Sequence, residues 1–587
     1  MARGRGPGSL VTAVALVALV AAGSVVTPRA DAQSPSPAAA VAIQLRMEAS
    51  DGVELEARLS GAGPLVDGTL PARPTLVELS PYGDAAALPV VSPDYNYLEV
   101  HIRGTGESDG AFDALGPRSQ QDVVDVLDWA CHQPWSNGRL GLWGFSASAI
   151  MAYNAMHLEL PCVQAAVLGA GTHELYRDLL YPGGIPNIGP ALVVLLGIGG
   201  GSLLAGFDRL NRDPATSLDV LSGMFDTGIS YLEHPSLDSW WQERGMRGSV
   251  NDFPILMVTG FFDVESRGPF QTFQELRDSG AHLYVIGAHD GVPAGTGGAD
   301  AERQRWYDRH LRDVDNGVDR EPGVQLWMAD GDREDLLAGR LVRAQGEDWP
   351  IPGTEWTTLH LSGARSGTAT SLNDGTLTEG PAERATQSYV EIPTLPTATD
   401  PHTIATVGVF NDAPSLTDMG LVEPLGLSYT TEPFATDLYS AGPASLDVLL
   451  SSTAPETDIL AVLSDVAPDG SAHPVATGRL RTSYPAVDPS RSLVDADGTV
   501  VQPYARFDRK DPADIGEERR YQVELWPIGN RFKEGHRIRL HIVGASAASE
   551  HSAPGLNTVT AGGPSGSRFL FPVLPGSDLK RALGGRR

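Results

Sequence analysis

The sequence predicts an α/β domain followed by an all-β domain. Three observations carry that reading. Short apolar strands alternate with helix-length segments between residues 75 and 311, which implies a mainly parallel sheet. The alternation lapses over residues 173–250 and then resumes, as it would around an insertion. From about residue 323, short period-two segments separated by turn residues replace it, the texture of a β-sandwich. A chain of 587 residues is also too long for one core, so more than one domain is expected.

The elements follow in order. Residues 41–48 and 53–59 flank Asp51-Gly52 and read as a hairpin. Strand 75–79 ends at Ser80-Pro81-Tyr82-Gly83, and strand 97–102 at Arg103-Gly104-Thr105-Gly106. A helix over 121–130 precedes strand 140–145, which runs straight into Ser146. An apolar helical run, 149–156, follows, then a strand at 165–169. The uncharged, glycine-rich stretch 181–206 lies inside the insertion, where a cap would sit. Strand 255–262 ends at Asp263, helix 270–278 follows, and strand 282–286 ends at Gly287-Ala288-His289 before a helix over 302–311. The sandwich segments are 324–328, 357–361, 444–450, 459–464, 519–526 and 537–542.

Composition narrows the function. A net charge of −30 argues against a nucleic-acid partner, because phosphate backbones need clustered cations. Lys510, Lys533 and Lys580 are the three lysines, so the positive charge is nearly all arginine. Arg3 and Arg5 precede an uncharged apolar stretch, 10–26, and Ala30-Asp31-Ala32 offers a cleavage site. Residues 1–32 are therefore expected to be a secretory signal peptide and 33–40 a Ser/Pro/Ala linker, with no stable membrane insertion after removal of the signal. Cys131 ends the helix before the serine strand, and Cys162 follows the helix after it. Both helices run away from the same sheet edge, so a disulfide is geometrically allowed, and an exported compartment permits it. Neither cysteine has metal-ligand spacing, and no metal is expected.

The chemistry starts at Ser146. Strand, serine, small residues and helix are the layout of a nucleophile elbow, whose sharp turn lifts the hydroxyl clear of the backbone. The Gly-x-Ser-x-Gly pattern is incomplete, since Ser148 stands at its last position; a turn without chemistry is the alternative. In a parallel sheet, substrates bind beyond the carboxyl ends of the strands. Ser146, Asp263 and His289 all sit at such ends, in the chain order of α/β-hydrolases. A serine hydroxyl needs a base during attack; histidine serves near neutral pH, and a carboxylate fixes its tautomer. Asp263 could instead cap the next helix, and Asp252 is a rival that precedes its strand. His173, His234, His282 and His310 are placed less well than His289. An oxyanion hole would take the backbone N–H of Ala147 and the phenol of Tyr82, unless Tyr82 merely packs in a turn.

Several stretches resemble the family of cocaine esterase, alpha-amino acid ester hydrolases and glutaryl cephalosporin acylases, related to X-prolyl dipeptidyl peptidases. They are Ser80-Pro81-Tyr82-Gly83, Arg103-Gly104-Thr105-Gly106-Glu107-Ser108-Asp109-Gly110, Gln133-Pro134-Trp135-Ser136-Asn137-Gly138, Gly260-Phe261-Phe262-Asp263 and Trp306-Tyr307-Asp308-Arg309-His310-Leu311. Asp465-Val466-Ala467-Pro468-Asp469-Gly470 and Phe532-Lys533-Glu534-Gly535-His536-Arg537-Ile538 match further on. The resemblance implies an α/β-hydrolase domain with a helical cap and a C-terminal jelly roll. It also implies Ser146, Asp263 and His289 as triad and Tyr82 as oxyanion donor. The chain departs from the family at Ala147, Ser148, the shortened Gly287-Ala288-His289 and His101. Ala147 and Ser148 are expected to mark where the substrate pocket differs.

The expected organisation is signal peptide 1–32, linker 33–40, hydrolase domain 41–172, helical cap 173–250, hydrolase domain 251–322 and jelly roll 323–587. The expected function is a secreted serine hydrolase that cleaves a small-molecule ester or amide through an acyl-enzyme, without cofactor. An X-Pro dipeptidyl aminopeptidase is the alternative, with Glu265 and the acidic residues of the cap as candidates for holding the substrate's ammonium. A non-catalytic binding protein on the same fold is a third reading. The sequence makes no prediction of oligomeric state.

Overall fold

The computed structural model describes residues 40–82, 92–187, 222–223, 226–227, 229–286, 299–332, 335, 339–391, 418–421, 423–544 and 553–584. The expected signal peptide, the linker up to residue 39 and the segment 287–298, which includes His289, lie outside the described residues.

The hairpin β1 (Ala40–Glu48) and β2 (Glu54–Ala62) forms as the Asp51-Gly52 turn predicts, with Gly52 at φ 85°. It edges a sheet continued by β3 (Arg73–Ser80), β4 (Asn96–His101), β5 (Ser136–Phe145), β6 (Val163–Gly169), β7 (Ile255–Thr259), β8 (His282–Ile286), β9 (Val324–Ala329) and β10 (Leu341–Gly346). The pairings give the spatial order β1-β2-β4-β3-β5-β6-β7-β8-β9-β10. All strands from β4 to β9 in that order are parallel, while β2 and β10 pair antiparallel with their neighbours. The central strands β6, β7 and β8 are buried on both faces, which is why they read as nearly continuous apolar runs.

Among the described residues four helices cover the sheet: α1 (Pro117–Cys131), α2 (Ala147–Ala155), α3 (Arg267–Leu276) and α4 (Asp300–Arg312). Val77, Leu142, Ala166, Leu168 and Met257 pack with Val123, Val126, Leu127, Ile150, Phe270 and Phe273 of the first three helices. The alternate residues Leu76, Trp143, Ala165, Val167 and Val258 pack with Trp306, Tyr307 and Leu311 of α4. Period-two alternation thus sends each strand's side chains to helices on opposite faces. Cys131, the last residue of α1, is disulfide-bonded to Cys162, just before β6, with 6.1 Å between the Cα atoms.

Strand 324–328 was expected in the sandwich, but β9 pairs parallel with β8 and carries β10, so the α/β sheet runs to Gly346. The cause is burial: Val324, Leu326 and Met328 are fully buried in the sheet, although their alternation reads like that of a sandwich strand. Strand β7 also stops at Thr259, so Asp263 stands in the turn beyond it.

The described parts of 173–250 contain helical turns over Tyr176–Leu180 and Pro182–Gly184 and a short helix, Ser239–Gln242. Tyr176 stacks on Tyr181 at 4.9 Å between ring centroids, and Tyr231 and Trp241 close around them. Phe507 from beyond the α/β domain completes the cluster.

The C-terminal β domain is largely antiparallel. The long strands Leu438–Ser452 and Arg519–Phe532 pair along most of their length. Asp458–Val466 lies between Ala472–Arg481 and Arg537–Val543, and Asn373–Thr378 with Leu427–Thr430 is a parallel pair. Strand Arg519–Phe532 also meets the end of β9 through Asn530 and Ala329. Among the described residues no helix is long and apolar enough to cross a membrane.

Candidate active site

Ser146 stands between β5 and α2 with φ 53° and ψ −120°, a backbone conformation that L-residues rarely adopt. Such strain persists only where the surroundings enforce it. They do so here: the Ser146 N–H donates to the Gly169 carbonyl on β6, and the Ser146 carbonyl accepts from the Ile150 N–H inside α2. The helix then folds back so tightly that a Cβ on Gly144 would sit 2.6 Å from the Ala149 nitrogen. The small residues read from the sequence are therefore a packing requirement of the turn.

The Ala147 N–H opens α2 and donates to the Tyr82 phenolic oxygen at 2.8 Å. The Ser146 hydroxyl lies close enough to the same phenol to favour its ionised form, against the larger effect of burial. Tyr82 follows the carboxyl end of β3, the strand beside β5. Its residue is 37% exposed, so the ring opens to solvent while the hydroxyl points inward to the elbow. Burial of the phenol, with the nearby charges of Glu265 and Glu78, pushes its pKa up to about 12. It therefore stays a protonated donor at working pH. An oxygen bearing negative charge, seated between the Ala147 N–H and the Tyr82 O–H, would accept from both.

Asp263 is fully buried. Its Oδ1 accepts from the Glu265 N–H at 3.1 Å. Helix α3 begins only at Arg267, so Asp263 does not cap it. The rival Asp252 is exposed and precedes β7. Glu265 is 2% exposed, and its charge raises both Tyr82 and the buried Tyr153 of α2.

The other histidines are engaged elsewhere. His173 is buried, with Nδ1 2.9 Å from the Thr272 hydroxyl and Nε2 3.5 Å from Glu275. His234 stacks on Trp240, and His282 and His310 both lie against Trp306.

Ser148 departs from its expected place. It is 2% exposed, and its hydroxyl donates at 2.8 Å to Glu78, a buried carboxyl in the middle of β3. Tyr97 donates to the other Glu78 oxygen. Ser148 therefore faces the sheet and does not line a pocket. The reason is the helical turn itself, which rotates position 148 inward when Ser146 faces out. Burial raises the Glu78 pKa, against the hydrogen bonds from Tyr97, Ser148 and Trp143. Sequence reasoning missed Glu78, although an acid inside the apolar run 75–79 was a visible signal. His101 is similarly occupied, with Nδ1 2.8 Å from Glu56 and the ring packed on Gly106. Among the described residues no group of acidic, His or Cys side chains could hold a metal ion.

A family model described as X-Pro dipeptidyl-peptidase (S15 family) matches residues 51–290. Residues 316–568 match the model of the X-Pro dipeptidyl-peptidase C-terminal non-catalytic domain. The chain belongs to this family of serine hydrolases, which includes cocaine esterase. It is 24% identical over 562 residues to the cocaine esterase of Rhodococcus sp. (strain MB1 Bresler), covering 86% of this chain and 90% of that one. Two solved structures share its fold. A CocE/NonD family hydrolase from Staphylococcus aureus has TM-score 0.71 at 19% identity, covering 93% and 99% of the two chains. An alpha-amino acid ester hydrolase has TM-score 0.68 at 16% identity, covering 93% and 100%. The hydrolase is thus an enzyme, with an α/β-hydrolase domain and a C-terminal β domain.

Proposed function

We propose that the hydrolase is a secreted serine esterase or acylase that works through an acyl-enzyme on Ser146. The observation that carries this reading is the convergence on one point of a strained, outward Ser146 and two oxyanion donors, the Ala147 N–H and the Tyr82 phenol. The Ser146 oxygen attacks the substrate carbonyl carbon while His289 takes its proton. The carbonyl oxygen gains the charge and accepts from Ala147 and Tyr82. Collapse expels the alcohol or amine, which leaves with the proton from His289. Water then attacks the ester of Ser146 while giving a proton to His289, and His289 returns that proton to the Ser146 oxygen as the acid leaves. Asp263, buried beyond β7, orients the histidine.

Export is supported by the leader-like residues 1–32 and by the Cys131–Cys162 bond, which suits an oxidising compartment. Residues 173–250 are read as the cap over the site, and the C-terminal β domain as a jelly roll.

A second reading is favoured by Glu265. A buried carboxylate beside the oxyanion donors could hold a substrate ammonium, as an X-Pro dipeptidyl aminopeptidase or an α-amino ester hydrolase requires. The binding-protein reading leans on Ser148 and on the shortened histidine loop; Ser148 is accounted for by Glu78, and the loop lies outside the described residues. A panel of p-nitrophenyl esters, α-amino acid esters and X-Pro anilides tests the proposal. Turnover of simple esters is expected; cleavage confined to substrates with a free amino group would replace the esterase reading with the second.

A further inference from the structure

The turn that carries Asp263 is held at both ends by one strand of the C-terminal β domain. Upstream, the Phe261 ring is fully buried and lies on Gly529, where an added Cβ would come within 2.2 Å of the ring edge. Downstream, Arg267 is buried, and its Nε donates to both oxygens of Glu524 at 3.0 Å. Glu524 and Gly529 both belong to strand Arg519–Phe532. That strand is itself fixed to the α/β sheet where Asn530 meets Ala329 at the end of β9.

The rest of the Arg267 surroundings is charged and closed. Its Nη1 donates to Asp178 at 2.7 Å, and Glu174 lies 3.9 Å away. Glu174 in turn accepts from Arg177 and from the Tyr504 hydroxyl. Gln502 donates to Glu524 at 2.7 Å. Three segments therefore converge on one guanidinium: the start of the insertion, helix α3 and the C-terminal domain. Burial disfavours the guanidinium charge, but Glu524, Asp178 and Glu174 outweigh it and keep the group ionised. A buried pair of this kind adds little net stability, yet it fixes geometry and is costly to break.

We propose that Glu524 and Arg267 are positioning residues for the reaction, and that the C-terminal β domain sets the place of Asp263 by clamping residues 261–267 between Gly529 and Glu524. This rests on Asp263 being the acid that orients His289. Displacing that carboxylate by about an ångström weakens its hold on the imidazolium and misaligns the base, a loss on the order of a hundredfold at most.

The test uses the full-length protein with p-nitrophenyl butyrate, with active sites counted by fluorophosphonate titration. Glu524→Gln removes the charge but keeps the shape. Gly529→Ala pushes on Phe261 from the other end of the turn, and Phe261→Leu replaces it should that chain not fold. Asp263→Asn is the reference. The expected result is a roughly ten- to hundredfold fall in kcat per titrated site, with KM changed by less than about twofold. The acid limb of kcat/KM should move to lower pH by about one unit, because the imidazolium has lost part of its counter-charge. A role in stability alone would lower Tm and leave that limb in place. Wild-type kcat and an unmoved limb in the folded variants, beside an inactive Asp263→Asn, overturn the proposal. An Asp263→Asn enzyme with near-normal kcat removes the acid assignment itself, and the proposal falls with it.

Discussion

Replacing Tyr82 by Phe removes one hydroxyl and nothing else, so it isolates half of the oxyanion site. The ring stays where it packs, and the Ala147 N–H, which donates to the phenol at 2.8 Å, remains as the other donor. The lost interaction is a hydrogen bond to a developing charge, worth about 1.5–3 kcal/mol. At about 1.4 kcal/mol per decade, kcat should fall roughly ten- to 150-fold. KM should hold, because the bond strengthens only as the carbonyl oxygen becomes an oxyanion. Stability should change by no more than about 1 kcal/mol, since one hydrogen bond at a partly exposed residue is lost. Steady-state kinetics on p-nitrophenyl butyrate, with thermal melts of both proteins, supply the numbers. A kcat within about twofold of wild type would refute the oxyanion role, and a large rise in KM alone would make Tyr82 a binding residue.

Other outcomes follow from the same geometry. Ser146→Ala should abolish turnover and leave Tm nearly unchanged, whereas Ser146→Gly, which tolerates φ 53°, should be inactive yet more stable by about 1 kcal/mol in denaturant melts. Gly144→Ala should lose both folding stability, by more than about 2 kcal/mol, and activity, because its methyl would meet the Ala149 backbone; circular dichroism melts would show it. Glu78 is held protonated above its ordinary range, so its contribution is complete below the unfolded pKa and is lost as pH rises through the folded one. Glu78→Gln should therefore be more stable than wild type at pH 8, by roughly 1 kcal/mol, with the gain vanishing near pH 4; melts across pH decide it. Reducing Cys131–Cys162, 31 residues apart in sequence, should cost about 3–4 kcal/mol and lower Tm without changing kcat at 25 °C.

The sequence displayed the α/β domain because its central strands are buried on both faces and helices α1 and α3 keep apolar stripes. The strand ends that carry Ser146, Tyr82 and Asp263 could be read for the same reason. What was less legible depends on partners distant in sequence. Strand β9 alternates like a sandwich strand, and only its pairing with β8 assigns it to the sheet. Ser148 reads as a flaw in a motif until Glu78, 70 residues earlier, is found beneath it. Arg267 and Glu524 are separated by 257 positions, and neither belongs to a local pattern. Buried polar contacts of this kind have no periodicity, so the sequence gives their members but not their pairing. His289 remains placed by its position after β8 in the sequence.

The central claim is that Ser146 is the nucleophile. Labelling the folded protein with a fluorophosphonate, followed by mass spectrometry of its peptides, tests it most directly. The account predicts one adduct per chain, on the peptide containing Ser146, with activity lost in proportion, and none in Ser146→Ala. Full inactivation with the adduct on another serine, or an active protein that takes no label, would contradict it.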